Sequence, residues 1–315
     1  MRALSPFRLL SPGGPLGRLS IFIFHRVLEE PDPHLPDVPD AKQFERIAGF
    51  LGRYFNVLPL SEAVDRMNAG ALPAAPACIT FDDGYRDNLT VAAPILRKHE
   101  LPATIFVATG FLDGGCMWND VVIGSLRAVS EGVLDLGDLQ LGSFVISGPE
   151  SRVTVYRHLL KRLKHLDFAR RLELSNELGD RLGFKARNDL MLSRAELRQL
   201  FQQGWEVGGH TVSHPILSCL DEAAAFREIA EGREHLTAVL GHAPPTFAYP
   251  NGVPGSDFGA RDVALVRKAG FQIALTTSAG CNRKGDDPLQ LKRFTPWDRS
   301  MLLFGARCAA NVLRT

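Results

Sequence analysis

Two groups of residues in this 315-residue chain have the types and spacing for hydrolytic chemistry. They are the adjacent carboxylates Asp82-Asp83, followed by Gly84, and the imidazoles of His210-Thr211-Val212-Ser213-His214. Adjacent carboxylates repel, so a site that holds both gains from a cation and leaves one of them with an altered proton affinity, which suits a metal ligand beside a base. Histidines four apart, with Pro215 stopping the turn behind them, come to one side of the chain. Two imidazoles and one carboxylate make a three-ligand set with positions left open for water, as a catalytic Zn²⁺ requires and a structural one does not. Each motif alone has a plainer reading: Asp83 or Asp87 caps the following helix and Gly84 permits a turn, and the histidines are a solvated or core pair. Their common place at the ends of buried strands favours the metal site.

The elements that must position them are short apolar runs at 19–24, 55–58, 77–81, 103–107, 206–209, 246–249, 272–276 and 291–294. Segments of helical period alternate with them at 43–54, 61–67, 91–99, 193–203, 221–240 and 262–269. Alternation of this kind is the pattern of an α/β protein with a largely parallel sheet. The helices rest on spacing: Phe44, Ile47, Phe50 and Leu51 share one face, as do Leu197, Leu200 and Phe201 before Gly204. Four of the runs lead into His25, Asp82, His210 and Pro250-Asn251-Gly252. In a parallel sheet or barrel all strand carboxyl ends lie on one face, so these residues converge on one pocket. Between 120 and 192 the alternation stops; a Gly-rich part at 132–148 fits a hairpin and charged stretches at 151–165 and 168–182 fit helices. The pattern is therefore a single domain over 19–315 with an insertion at about 121–192, preceded by a flexible leader over 1–18. No repeat, P-loop or dinucleotide fingerprint interrupts it.

Composition narrows the function classes. Lys+Arg 36 against Asp+Glu 35 gives a net charge of +1, so no global charge points to nucleic acid or to an anionic membrane. A hydrophobic content of 45% excludes a disordered chain. Five cysteines without a Cys-x-x-Cys pair fit a reducing compartment. No apolar segment approaches the ~20 residues that cross a bilayer, and Pro6, Pro12, Gly13, Gly14 and Pro15 break up what would be a signal-peptide core. A cytoplasmic protein is expected. The Lys/Arg-rich stretches 155–164 and 170–181 read as solvated helix faces, with a peripheral membrane or partner surface as the alternative.

Thr80-Phe81-Asp82-Asp83-Gly84 and His210-Thr211-Val212-Ser213-His214 resemble the first two motifs of the polysaccharide deacetylase family, the NodB-homology or family 4 carbohydrate esterases. Phe247-Ala248-Tyr249-Pro250-Asn251-Gly252 resembles the third, and the resemblance covers about 20–296. Phe24-His25-Arg26-Val27 and Asp287-Pro288-Leu289-Gln290-Leu291-Lys292-Arg293 look like the branch associated with bacterial exopolysaccharide synthesis. The resemblance implies a distorted (β/α) barrel of about seven strands and a metal-dependent deacetylase of a sugar or polysaccharide, acting on N-acetyl groups with O-acetyl groups as the less favoured alternative. It implies that Asp83, His210 and His214 hold a divalent metal, most often Zn²⁺, that Asp82 is the general base, and that the backbone N–H of Asn251 faces the oxyanion, with Tyr249 beside it.

Two positions depart from the family pattern. The third motif usually carries an arginine that holds the base, where this chain has Ala248, and the fifth usually supplies a histidine acid, where it has Arg293. Arg293 either reaches Asp82 and replaces the missing guanidinium or is an ordinary arginine on the barrel rim. His25 is then the leading general acid, with return of the proton from Asp82 as the alternative. Tyr85, Trp118 and Trp297 are candidate sugar-stacking aromatics, with a place in the core as the equal alternative for each. A non-catalytic glycan-binding relative and a small-molecule amidohydrolase on the same barrel are the competing readings.

Overall fold

The computed structural model describes residues 6–295 and 298–314. Its strands are β1 (Ser20–Phe24), β2 (Asn56–Val57), β3 (Pro76–Phe81), β4 (Thr104–Val107), β5 (Gly132–Leu136), β6 (Gly142–Ile146), β7 (Glu206–Gly209), β8 (Thr246–Ala248) and β9 (Ile273–Leu275). Seven of them form one curled parallel sheet in the order β1-β3-β4-β7-β8-β9, with β2 beside the first residues of β3. The run at 291–294, expected as a strand, makes only single bridges, Leu291 to Leu275 and Phe294 to Phe22. Those bridges lie between the last strand and the first. They close the open side of the half-barrel and fix the segment that carries Arg293.

The helices are α1 (Pro6–Leu10), α2 (Ala41–Tyr54), α3 (Leu60–Ala69), α4 (Ala93–Lys98), α5 (Trp118–Arg127), α6 (Pro149–Leu163), α7 (Phe168–Arg181), α8 (Arg194–Gln202), α9 (Glu222–Leu240), α10 (Ala260–Lys268) and α11 (Met301–Leu313). Local chemistry sets several of their starts. Asp40 accepts from the Gln43 N–H, Asp221 from the Ala224 N–H, and Ser193 with Glu196 forms a reciprocal capping box. No helix among the described residues is long and apolar enough to cross a membrane.

Strand alternation divides the core. Ile21, Cys78, Phe106, Ala248, Leu275 and Leu291 form one buried cluster from around the ring and fill its interior, while Phe22, Phe24, Ile79, Phe81, Ile105 and Val107 pack outward under the helices. Thr80 and Asp82 continue the parity of Cys78, so Asp82 inherits the inward face.

The segment after β4 builds its own core. Trp118, Val122 and Leu126 of α5, Leu134 and Leu136 of β5, Leu159 and Leu163 of α6, and Leu174 and Leu178 of α7 are buried together, and β5 and β6 form an antiparallel hairpin. Residues 6–18 differ from the flexible leader expected of them. Phe7 is 4% exposed, its ring 4.6 Å from that of Phe55 and 5.8 Å from that of Phe50, and Gly14 pairs with Leu72. One buried phenyl ring outweighs the chain-breaking residues around it.

Candidate active site

Asp82 continues the β1–β3 ladder, its N–H donating to Phe24 O at 2.9 Å. Its carboxylate is 2% exposed and is gripped by Arg293, whose Nη1 donates to Oδ1 at 2.7 Å and whose Nη2 donates to Oδ2 at 2.8 Å. Arg293 is itself positioned by Nε on Thr276 O at 2.8 Å. Burial pushes the Asp82 carboxyl up, but the charges of Arg293 and His210 and the Arg293 hydrogen bonds outweigh it and hold Asp82 below the ordinary carboxylate range. Arg293 therefore gives the Asp82 carboxylate a two-point guanidinium partner.

Asp83 turns away from the strand with φ 79°, a left-handed conformation that Asp tolerates better than most residues. Its Oδ1 lies 3.5 Å from His210 Nε2 and 3.4 Å from His214 Nε2. The other ring nitrogen of His210, Nδ1, is 2.7 Å from Ala248 O, an arrangement that fixes the tautomer and aims Nε2 at Asp83. Thr211 and His214 have φ of 67° and 55°, an uncommon conformation for a β-branched threonine. Glu228 of α9 holds this strained loop by accepting from the N–H groups of Val212 and Ser213, each at 2.9 Å, and from Ser213 Oγ at 2.6 Å. Gly232, one turn along the same helix, lets the loop approach: a Cβ there would lie 3.0 Å from the Thr211 carbonyl carbon.

Ligand atoms of Asp83, His210 and His214 lie within 4.8 Å of one another. Oδ1 of Asp83 is buried and has no hydrogen-bond partner, a costly state for a carboxylate oxygen unless a cation meets it. Burial opposes ionisation of Asp83, but the imidazoles of His210 and His214 facing it at 3.5 and 3.4 Å hold its carboxyl far below the usual range. Burial pushes His214 down to about 3, so its ring is neutral. His210 is raised, since the facing carboxylate of Asp83 and the charge of Asp82 outweigh burial. An ionised carboxylate and two convergent imidazole nitrogens fit a divalent cation.

A cavity of about 350 Å³ opens over this cluster, at the lower end of the ~300–1,000 Å³ usual for small-ligand sites. It is lined by His25, Asp82, Asp83, His210, His214, Asn251 and Thr277 from the barrel, and by Met117, Trp118, Asn119, Leu160, Lys161 and Lys164 from the segment after β4. His25 is exposed and its ring has no hydrogen-bond partner among the described residues. Asn251 has φ 59°, and its carbonyl accepts from Thr277 Oγ1 at 2.8 Å. Among the described residues no acceptor takes its N–H.

Two expected substrate contacts lie elsewhere. Tyr249 is fully buried, stacked on Phe258 at 3.8 Å and donating to Leu289 O at 3.0 Å; two residues from Phe247, it shares that residue's outward face. Tyr85 is 3% exposed and donates to Asp120 at 3.0 Å beneath the guanidinium of Arg26. Burial raises Asp120 to about 7. Trp118 does line the cavity, 8% exposed, whereas Trp297 lies outside the described residues. Lys161, Lys164 and Thr277 were not among the residues expected from the sequence. Leu160, Lys161 and Lys164 carry the three- and four-residue spacing of one helix face, the sole local signal available.

A sequence model of the family described as polysaccharide deacetylase matches residues 69–274. No curated protein sequence matches the chain. Among solved structures, IcaB from Ammonifex degensii is similar at 20% identity and a TM-score of 0.60, covering 96% of this chain and 98% of that one. The Streptococcus pyogenes deacetylase PplD in complex with acetate is similar at 17% identity and a TM-score of 0.59, covering 88% and 92%. The BpsB deacetylase domain from Bordetella bronchiseptica is similar at 16% and 0.55, covering 88% and 95%. At these identities the likeness is one of fold.

Proposed function

The chain belongs to the polysaccharide deacetylase family and is a hydrolase of amide bonds, and from that premise we propose that it removes N-acetyl groups from a sugar or polysaccharide in bacterial exopolysaccharide synthesis, using a divalent metal, most often Zn²⁺ in this family. The observation that carries the reading is the pairing of Asp82 with Arg293 in the wall of the cavity that also holds Asp83, His210 and His214. Supporting the exopolysaccharide setting are the resemblance of Phe24–Val27 and 287–293 to that branch and the fold shared with IcaB and the BpsB deacetylase domain.

Asp83, His210 and His214 would hold the cation, and a bound cation there supplies Lewis acidity for the water and for the acetyl carbonyl. Asp82 accepts the proton of the attacking water. Each carboxylate oxygen has two lone pairs, so the bonds from Arg293 fix and charge Asp82 while leaving it able to accept. The free N–H of Asn251 donates to the oxygen that becomes negative as water adds to the carbonyl. The C–N bond then breaks, acetate leaves, and the sugar nitrogen takes a proton from His25, which stands exposed at the cavity mouth. Trp118 and Leu160 supply the apolar wall against which a sugar ring can lie. The test is acetate release from N-acetylglucosamine oligomers, abolished in Asp82→Asn.

A further inference from the structure

The insertion forms one wall of the cavity, and that wall carries positive charge without matching negative charge. Lys164 is compensated, its Nζ 3.2 Å from Asp257. Lys161, which lines the same cavity, has no carboxylate within ion-pair distance among the described residues. Behind Trp118 sits Arg171 of α7, 1% exposed, with its guanidinium carbon 5.0 Å from the centre of the Trp118 ring and 5.4 Å from that of Phe168. Nη1 donates to Lys164 O at 3.0 Å, but Nε and Nη2 have no partner, and no carboxylate forms an ion pair with Arg171 among the described residues. Across the cavity, Asp82 is neutralised by Arg293 and Asp83 faces two imidazoles.

A buried guanidinium with two idle donors and no ion-pair partner among the described residues costs stability; the carboxylate of Asp167, at the start of α7, acts on it only at longer range. The chain as a whole has a net charge of only +1, so the excess is local. Lys161 is exposed at the edge of the cavity, so its charge is partly solvated, and the low-dielectric wall behind it focuses its pull on an anion.

We propose that this wall recognises a negatively charged group on the acetamido sugar itself, a carboxylate or a phosphate ester, so that the substrate is an acidic rather than a neutral N-acetylated sugar. The inference rests on the deacetylase reading of the site and deepens it. Lys161 meets the anion directly. Arg171 is a positioning residue: its cation–π contact holds the Trp118 ring flat in the wall, and its charge acts through that ring.

The test uses His25→Gln protein, which leaves the Asp82–Arg293 pair intact and turns substrate over about 10²-fold more slowly, titrated calorimetrically with N-acetylglucosamine, N-acetylmuramic acid and N-acetylglucosamine 1-phosphate. At least one of the two acidic sugars should bind about tenfold tighter than the neutral one, with the margin shrinking as salt rises. Adding Lys161→Gln should remove the preference and Lys161→Arg should keep it. Because phosphate also coordinates metals, the titration is repeated on chelator-treated protein, where the Lys161-dependent preference should survive. Equal affinity for all three sugars, a preference untouched by Lys161→Gln, or its disappearance on chelation would overturn the inference. Acetate release by wild-type protein separates the two levels. Equal turnover of neutral and acidic sugars sinks the acidic-substrate reading and leaves the deacetylase standing, whereas selective binding without acetate from any sugar does the reverse. Which acidic sugar binds tells carboxylate from phosphate ester.

Discussion

Arg293 and Asp82, 211 positions apart in the chain, meet as a two-point ion pair at 2.7 and 2.8 Å, with the guanidinium wholly buried and the carboxylate nearly so. Removing one member of such a pair strands the other in the interior. Arg293→Met should lower stability by about 3–5 kcal/mol and reduce turnover while leaving metal stoichiometry near wild type. Loss of metal with normal turnover of the metal-loaded fraction would refute the assignment. The same pair gives stability a pH dependence. Because Asp82 titrates below its ordinary 3.8 when folded, its contribution is full above about pH 4 and is lost as pH falls through the lowered value. Melting temperatures from pH 7 to 3 should show wild type losing stability relative to Asp82→Asn at the acid end.

The histidine loop depends on a close approach from behind. In Gly232→Ala the new methyl would lie 3.0 Å from the Thr211 carbonyl carbon, and backbone yields less readily than a side-chain tip. A cost of about 1–3 kcal/mol is expected, felt first as weaker metal affinity in an equilibrium titration. Unchanged affinity would mean that the loop conformation is not what aligns His210 and His214.

Arg171→Met should stabilise the protein, by about 1 kcal/mol or more, since it removes two buried donors without partners while Met preserves most of the volume beside Trp118. A gain in melting temperature with weaker binding of acidic sugars is the signature of a residue kept for function. A lower melting temperature would show that its bond to Lys164 O outweighs the burial cost.

His25→Gln should lower turnover by about 10²-fold or more and remove the basic limb of the pH–rate profile. A basic limb that persists would return the acid role to Asp82.

What was legible in the sequence was what local pattern encodes. The run 206–209 coincides with β7, and the convergence of His25, Asp82, His210 and Asn251 on one cavity was legible because a parallel sheet brings strand ends together. Tyr249 was misplaced although the signal existed, since period-two parity puts it with outward-facing Phe247. Tyr85 could not be placed from pattern, because the left-handed residues Asp83 and Gly84 redirect the chain before it. Lys161 and Arg171 escaped for a different reason: their neighbours are set by how the insertion folds back on the barrel, and charge on a helix is ordinarily solvated.

The most direct test of the proposed chemistry combines metal analysis with acetate release from N-acetylated sugars, neutral and acidic, on wild type, Asp82→Asn and His210→Ala. About one divalent ion per chain is expected in wild type and in Asp82→Asn, but not in His210→Ala, with acetate released by wild type alone. An unchanged metal content in His210→Ala, or acetate release from Asp82→Asn at the wild-type rate, would contradict it.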